Sequence, residues 1–199
     1  AQSVYPEVEV KVSVTGSWYD PEEEAKSAQA LIDAGCVVIG QHCDTNGPQT
    51  TAEDNGVFGC GSNSDMTEFA PKAHLCAPIW NWGVYYTQAV QAAINGTWTP
   101  TNYYEGMKVG LVDISPLNED IAAPGTKEAI EAARAKILSG ELIIFSADVV
   151  EKSSPVVEVD ADGKPLRDKP IKGENADGSL SDGQITGGIN QYIKGVSLL

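Results

Sequence analysis

The sequence predicts an α/β fold, a parallel sheet with helices on both faces. Three observations carry this prediction. Short apolar runs bounded by turn residues read as fully buried strands, the strongest being Cys36-Val37-Val38-Ile39. These runs alternate with segments of helical period that end in Gly, the signature of βαβ units. The Cys36 run then breaks into the polar stretch Gln41-His42-Cys43-Asp44-Thr45-Asn46. In open α/β sheets, ligands sit outside the carboxyl ends of the strands, where this stretch falls.

Taken in order, Val8 to Val14 alternates apolar with polar residues and predicts a half-buried strand near a sheet edge. Asp20-Pro21-Glu22-Glu23 is a helix start: Asp as N-cap, Pro at the first helical position and acids in the first turn. That helix runs through Ala25, Ala28 and Leu31-Ile32 to Gly35. After the Cys36 strand, Gly47 to Asn55 predicts a short helix and Val57 to Cys60 a short strand, followed by the polar loop Gly61 to Asp65. His74 to Ile79 predicts a strand leading into Trp80-Asn81-Trp82, and Gly83 to Asn95 a helix. Lys108 to Ile114 and Leu142 to Phe145 predict strands. Between them, Pro124 to Ser139 carries an apolar stripe of Ala129, Ile130, Ala133, Ile137 and Leu138. Right-handed crossovers place the helices on both faces. Residues 1–150 are thus expected to form one α/β lobe. Residues 151–182 read as a surface excursion with a hairpin turn at Asp162-Gly163, and 183–199 as a closing helix over Gln184 to Val196.

A chain of 199 residues fits one large domain or two small ones, and 42% hydrophobic content suits a globular core. The net charge of −15 argues against a nucleic-acid partner and against adhesion to an anionic membrane. It suits the solvated surface of a secreted or envelope protein. No apolar run approaches the ~20 residues of a spanning helix. The chain begins at Ala1 without an initiator Met, a signal peptide or a lipid-attachment Cys, so further residues are expected upstream.

The four cysteines, at 36, 43, 60 and 76, allow three pairings. With no CxxC pair and only two histidines, a zinc site is not expected. Cys36 and Cys43 bound one extended segment, roughly 20 Å apart, and cannot bridge each other. Cys43 and Cys60 fall at the carboxyl ends of neighbouring strands and form one candidate bridge. Four buried, unpaired thiols are the alternative.

No phosphate-binding GxxxxGK[ST] loop, dinucleotide GxGxxG turn or GxSxG elbow is present. His42 is the one candidate general base, but Cys43 beside it points to the opposite face of an extended strand. His74 reads as a solvated loop histidine. A nucleoside- or sugar-processing α/β enzyme using His42, or the ligand-sensing domain of a regulator, stands as the rival to a binding protein. The loops instead collect aromatics and hydrogen-bonding groups: Trp18, Tyr19, His42, Asp44, Asn46, Asn63, Asp65, Trp80, Asn81 and Trp82. Such a set suits a flat polar molecule, a nucleobase or nucleoside, with stacking on an aromatic worth about 1–3 kcal/mol per base. Structural roles compete: Trp18 can cover apolar surface and Asp65 can cap the following segment. Trp80 and Trp82, at i and i+2, point to opposite sides of an extended segment, so at most one of them faces a given site.

Several stretches carry a resemblance. Gly16-Ser17-Trp18-Tyr19-Asp20-Pro21, Ala30 to Ile39, Gly61-Ser62-Asn63-Ser64-Asp65-Met66 and Trp80-Asn81-Trp82-Gly83-Val84-Tyr85-Tyr86 resemble the basic membrane protein family. So do Asn95-Gly96-Thr97-Trp98, Lys136 to Gly140 and the closing Tyr192 to Val196. These are substrate-binding proteins of bacterial ABC importers, similar to purine-nucleoside receptor lipoproteins. The resemblance implies a Rossmann-like lobe of a type I periplasmic-binding-protein fold, matching the C-terminal part, with the first lobe expected upstream. It implies a ligand-binding protein without catalysis, cofactor or metal. The partners implied are a purine or purine nucleoside and a transporter permease, at the periplasm or cell surface, with a lipid anchor outside this chain. The ligand set it supports is Trp18, His42, Cys43, Asp44, Asn63, Asp65, Trp80 and Trp82. Two departures stand out. Asn63 occupies a position where the family commonly has Asp, and no Lys lies near Trp80 to Trp82, the nearest being Lys72. An amide both donates and accepts, and an aromatic there suits a planar base over a sugar.

Overall fold

The computed structural model describes Ala1, residues 4–144 and the short pieces 156–157, 181, 191–192 and 196–198. Its elements run β1 (Val10–Val12), α1 (Pro21–Asp33), β2 (Val38–Gly40), α2 (Gly47–Asp54), β3 (Phe58–Cys60), β4 (His74–Cys76), β5 (Pro78–Trp80), α3 (Gly83–Ile94), β6 (Val112–Ile114), α4 (Thr126–Ser139), β7 (Val156–Val157), β8 (Gln191–Tyr192) and β9 (Val196–Leu198). A 3-10 turn, Met107–Val109, precedes β6. The chain divides into two units, Ser13–Arg134 and Ala1–Val12 with Ala135–Leu199.

The first unit holds a parallel sheet in the order β2-β3-β4. Val38 to Gly40 pairs with Phe58 to Cys60, and Gly59 with His74. α1 begins as its sequence dictates: Asp20 accepts from the Glu23 amide at 3.1 Å, and Pro21 opens the first turn. Gly35, at φ +92°, supplies the left-handed turn that sends the chain into β2. α1 and α2 pack side by side on the sheet, burying Ala28, Ile39, Ala52, Ala70 and Ala73, with Leu31, Ile32, Cys36 and Val57 at the margin. The small residues let the elements approach closely. At Gly59 the approach is closest: a Cβ there would lie 2.2 Å from Gln49 Oε1. Val38 and Phe58, on the opposite face of the sheet, stay half-exposed.

The apolar run from His74 splits into two strands. β4 extends the parallel sheet, whereas β5 pairs antiparallel with β6, Pro78 opposite Ile114 and Trp80 opposite Val112. Pro78 is the cause, because it has no N–H to continue a ladder and is tolerated as a first strand residue. The segment predicted as a strand from Lys108 opens instead as the 3-10 turn. Gly110, at φ +79°, then turns the chain into β6. The Arg134–Asp113 ion pair ties α4 to β6.

In the second unit, β1 pairs in parallel with β9, and β7 antiparallel with β8. The closing segment was expected to be helical, yet Gln191–Tyr192 and Val196–Leu198 are strands. Gly187, Gly188 and Gly195 disfavour a helix in this stretch of sequence, while Tyr192 and Val196 are residue types enriched in strands. Leu142 to Ile144 is not a strand either. Gly140, at φ +80°, folds the chain back so that the Leu142 amide donates to the Lys136 carbonyl at 3.0 Å. Phe145 and the Asp162-Gly163 turn lie outside the described residues.

Candidate functional site

The carboxyl ends of the sheet strands are held by one buried glutamine. Gln49, on α2, is fully buried. Its Nε2 donates to the Cys60 carbonyl at 3.0 Å and to Gln41 Oε1 at 2.9 Å. Gln41 Nε2 in turn donates to the Thr45 carbonyl at 2.7 Å and the Cys43 carbonyl at 3.1 Å, folding the loop after β2. On its other side Gln49 Oε1 lies 3.0 Å from His74 Nδ1. His74 Nε2 accepts from the Met66 amide at 3.4 Å, so Nδ1 carries the proton and donates to Gln49. His74 is therefore not a solvated loop histidine: it is wholly buried in β4 and joins the loops after β2 and β3. Burial holds its pKa below the ordinary imidazole value, against the pull of Asp65, whose Oδ1 is 3.7 Å from Nε2.

A second buried group secures the same loop from α1. Glu24 is 1% exposed and accepts from the Asp20 amide at 3.0 Å, the Thr45 amide at 3.1 Å and the Thr45 hydroxyl at 2.5 Å. Burial would raise its pKa, but the hydrogen bonds from Thr45, Asp20 and Cys43 outweigh it and hold the carboxyl below its usual value. Cys43 turns inward beside Glu24, and burial followed by that carboxylate pushes its thiol up to about 12. Its side chain belongs to the interior of the loop, 3.8 Å from Gln41 Nε2. This disposes of a Cys43–Cys60 bridge. All four cysteines are unbonded, and the register partner of Cys60 is Cys76.

The remaining predicted residues fall into two groups on exposed loops. Trp18, His42 and Asp44 form the first: the Trp18 and His42 rings meet edge to face at 5.3 Å and 89°, and the Asp44 amide donates to the Trp18 carbonyl at 3.0 Å. Beside them Tyr19, Asp44, Asn46, Ser64, Met66 and Phe69 help to line a cleft of about 390 Å³, within the range of small-molecule sites. The second group is Asn63, Trp80 and Trp82. Trp80 Nε1 donates to Asn63 Oδ1 at 2.8 Å, and the Trp80 and Trp82 rings stack at 5.7 Å and 20°. The two indoles were expected on opposite sides. They stack because Trp82 is already helical, at φ −59° and ψ −17°, as the residue that opens α3. Tyr86, one turn on, extends the aromatic surface at 6.2 Å from Trp82. Asp65 faces neither group: its Oδ1 accepts from the Thr67 hydroxyl at 2.6 Å and amide at 3.0 Å, the local capping role weighed above. Gln49, His74 and Glu24, which build the site's frame, were not among the predicted site residues. A Gln inside a short helix and a Glu in a helix first turn look solvated in sequence, and only their tertiary partners distinguish them.

Fixed polar loops at the strand ends of a parallel sheet, with exposed stacked aromatics beside one of them, suit the binding of a small molecule. The sequence profile of the Bmp family, ABC transporter substrate-binding proteins of the PnrA-like type, matches residues 1–148, and the chain belongs to this family. Among its relatives are a purine-binding protein of Brucella abortus (strain 2308), 37% identical over 98% of this chain and 51% of its own length, and a Haloferax volcanii protein bearing the name ABC transporter glucose-binding protein, 31% identical over 77% and 39%. The chain thus spans about half the length of the Brucella relative. The fold recurs in a transcriptional activator of the comK gene from Bacillus halodurans, with TM-score 0.54 and 17% identity over 64% of this chain and 45% of that one. It recurs also in an ABC transporter solute-binding protein from Aeropyrum pernix K1, with TM-score 0.53 and 16% identity over the same shares. The family consists of ABC transporter substrate-binding proteins, which are not enzymes, and His42 packs edge-on against Trp18. No helix among the described residues is long and apolar enough to cross a membrane.

Proposed function

We propose that this chain is the ligand-capturing lobe of the extracytoplasmic solute-binding component of an ABC importer. Its ligand is a purine base or purine nucleoside, held in a cleft between this lobe, residues 1–150, and a second one. The observation that carries the reading is the pairing of stacked, exposed indoles with hydrogen-bonding side chains on loops at the carboxyl ends of one sheet. Planar faces with a few convergent polar groups fit a nucleobase. The name of the Brucella relative supports the same ligand class. Trp18, Trp80 and Trp82 supply stacking surface, and His42, Asp44 and Asn63 the polar contacts, with Cys43 shaping one loop from within and Asp65 fixing the turn after Asn63 through Thr67. Closure of the cleft presents the loaded form to a membrane permease, and a lipid anchor outside this chain holds the protein at the periplasmic or cell surface.

Native mass spectrometry of the full-length protein, purified without denaturation, tests the proposal. A bound adduct of nucleobase or nucleoside mass is expected. A bare mass, with no thermal shift on adding purines and a clear shift on adding glucose, overturns it in favour of a sugar.

A further inference from the structure

We propose that Asn63 meets the ligand as a hydrogen-bond donor, fixed in that sense by Trp80, so that the site selects a 6-oxopurine over a 6-aminopurine. This rests on the purine reading above. The indole Nε1–H of Trp80 is a donor only, and it lies 2.8 Å from Asn63 Oδ1. An amide facing a donor must turn its oxygen toward it, so Oδ1 already uses one of its two lone pairs on Trp80. Nδ2, with two N–H groups, has no partner among the described residues. Both ends of this contact are fixed by backbone. Asn63 sits at φ +63°, a left-handed conformation that Asn tolerates better than most residues. The loop before it is pinned by the Gly61 amide, which donates to the Cys76 carbonyl at 3.1 Å, and a Cβ at Gly61 would lie 2.8 Å from His74 Cε1. Trp80 closes β5 opposite Val112 and stacks on Trp82.

The unpartnered end of the amide beside Trp80 is therefore a donor. A flat ring stacked on them brings its edge to the Asn63 amide. A carbonyl oxygen on that edge accepts from Nδ2, whereas an exocyclic amine either meets Nδ2 donor to donor or must share Oδ1 with the Trp80 indole. A carboxylate at this position would accept from Trp80 equally well and reverse the preference, since only its second atom differs.

Calorimetric titration of the full-length protein with hypoxanthine and with adenine tests this. The wild type is expected to favour hypoxanthine by about tenfold or more, the scale set by an unpaired polar group in a binding site. Asn63→Asp keeps the Trp80 contact and tolerates the positive φ. It is expected to weaken hypoxanthine about tenfold and to bring adenine level or ahead. Trp80→Phe keeps a stacking ring but frees the amide to turn, and is expected to shrink the ratio from the other side of the contact. Equal wild-type affinities, or a ratio unmoved in both variants, overturn the inference while leaving the purine reading standing. Failure of the wild type to bind either base, or the nucleosides inosine and adenosine titrated in the same way, overturns both.

Discussion

Gln49 shows how much one residue decides here. Its amide serves β2, β3, the loop between them and α2 together, and through His74 it reaches the loop after β3. Gln49→Met conserves volume but strands the His74 Nδ1–H and Gln41 Oε1, while the Cys60 carbonyl keeps only the Gln41 amide at 3.2 Å. Each unsatisfied group costs about 1–3 kcal/mol, and some relaxation is available, so a net loss of roughly 2–4 kcal/mol is expected in urea denaturation. An unchanged midpoint would show that these groups find other partners. Residue types alone could not have revealed this arrangement. His74 begins an apolar run and carries no polar pattern around it, so its partner 25 positions upstream is invisible until α2 packs on the sheet. Trp80 and Trp82 failed for a different reason. Their relative direction depends on where strand gives way to helix, and boundaries are the least legible part of a sequence.

At the scale of elements, the start of α1 was legible: Asp20 caps it, Pro21 opens it and Glu22 and Glu23 stand in its first turn, as helix-terminus chemistry assigns them. Asp20→Ala removes the acceptor for the Glu23 amide and is expected to cost about 1 kcal/mol, a fall in Tm of roughly 2–4 °C for a protein of this size. A scanning calorimetry trace superposable on the wild type would contradict it. β2, α2, β3 and α3 were legible within a residue or two, because short apolar runs and closing glycines are local signals. The splitting of the His74 run, the 3-10 entry to β6 and the strands at the C-terminus were not. Each depends on which partner strand is available, and β1 and β9 lie at opposite ends of the chain.

For the molecule as a whole, the titrating interior predicts a one-sided response to acid. Burial holds His74 below its ordinary value of 6.5. Hydrogen bonds from Thr67 lower Asp65, and those of Glu24 lower that carboxyl in spite of its burial. In every case the folded-state pKa lies below the unfolded one, so on acidification the unfolded chain takes up protons first. The stability these groups supply is complete above pH 6.5 and declines below it, first through His74 and then through the carboxylates as pH falls below about 4.5. Urea midpoints measured from pH 8 to pH 4 should therefore be level above neutrality and fall steadily below it. A midpoint that rises between pH 7 and pH 5 would mean that His74 is charged in the native state.

The shared glutamine also constrains how a relative's ligand preference could be transplanted into this protein. Exchanging the loop after β2 alone removes Gln41, which holds one bond of Gln49. Exchanging the segment that contains β4 removes His74, which holds another. Either graft would install new contacts on a frame whose central amide has lost a partner. A graft that retains its shape must carry Gln41, Gln49 and His74 as a set, even though Gln49 and His74 are wholly buried.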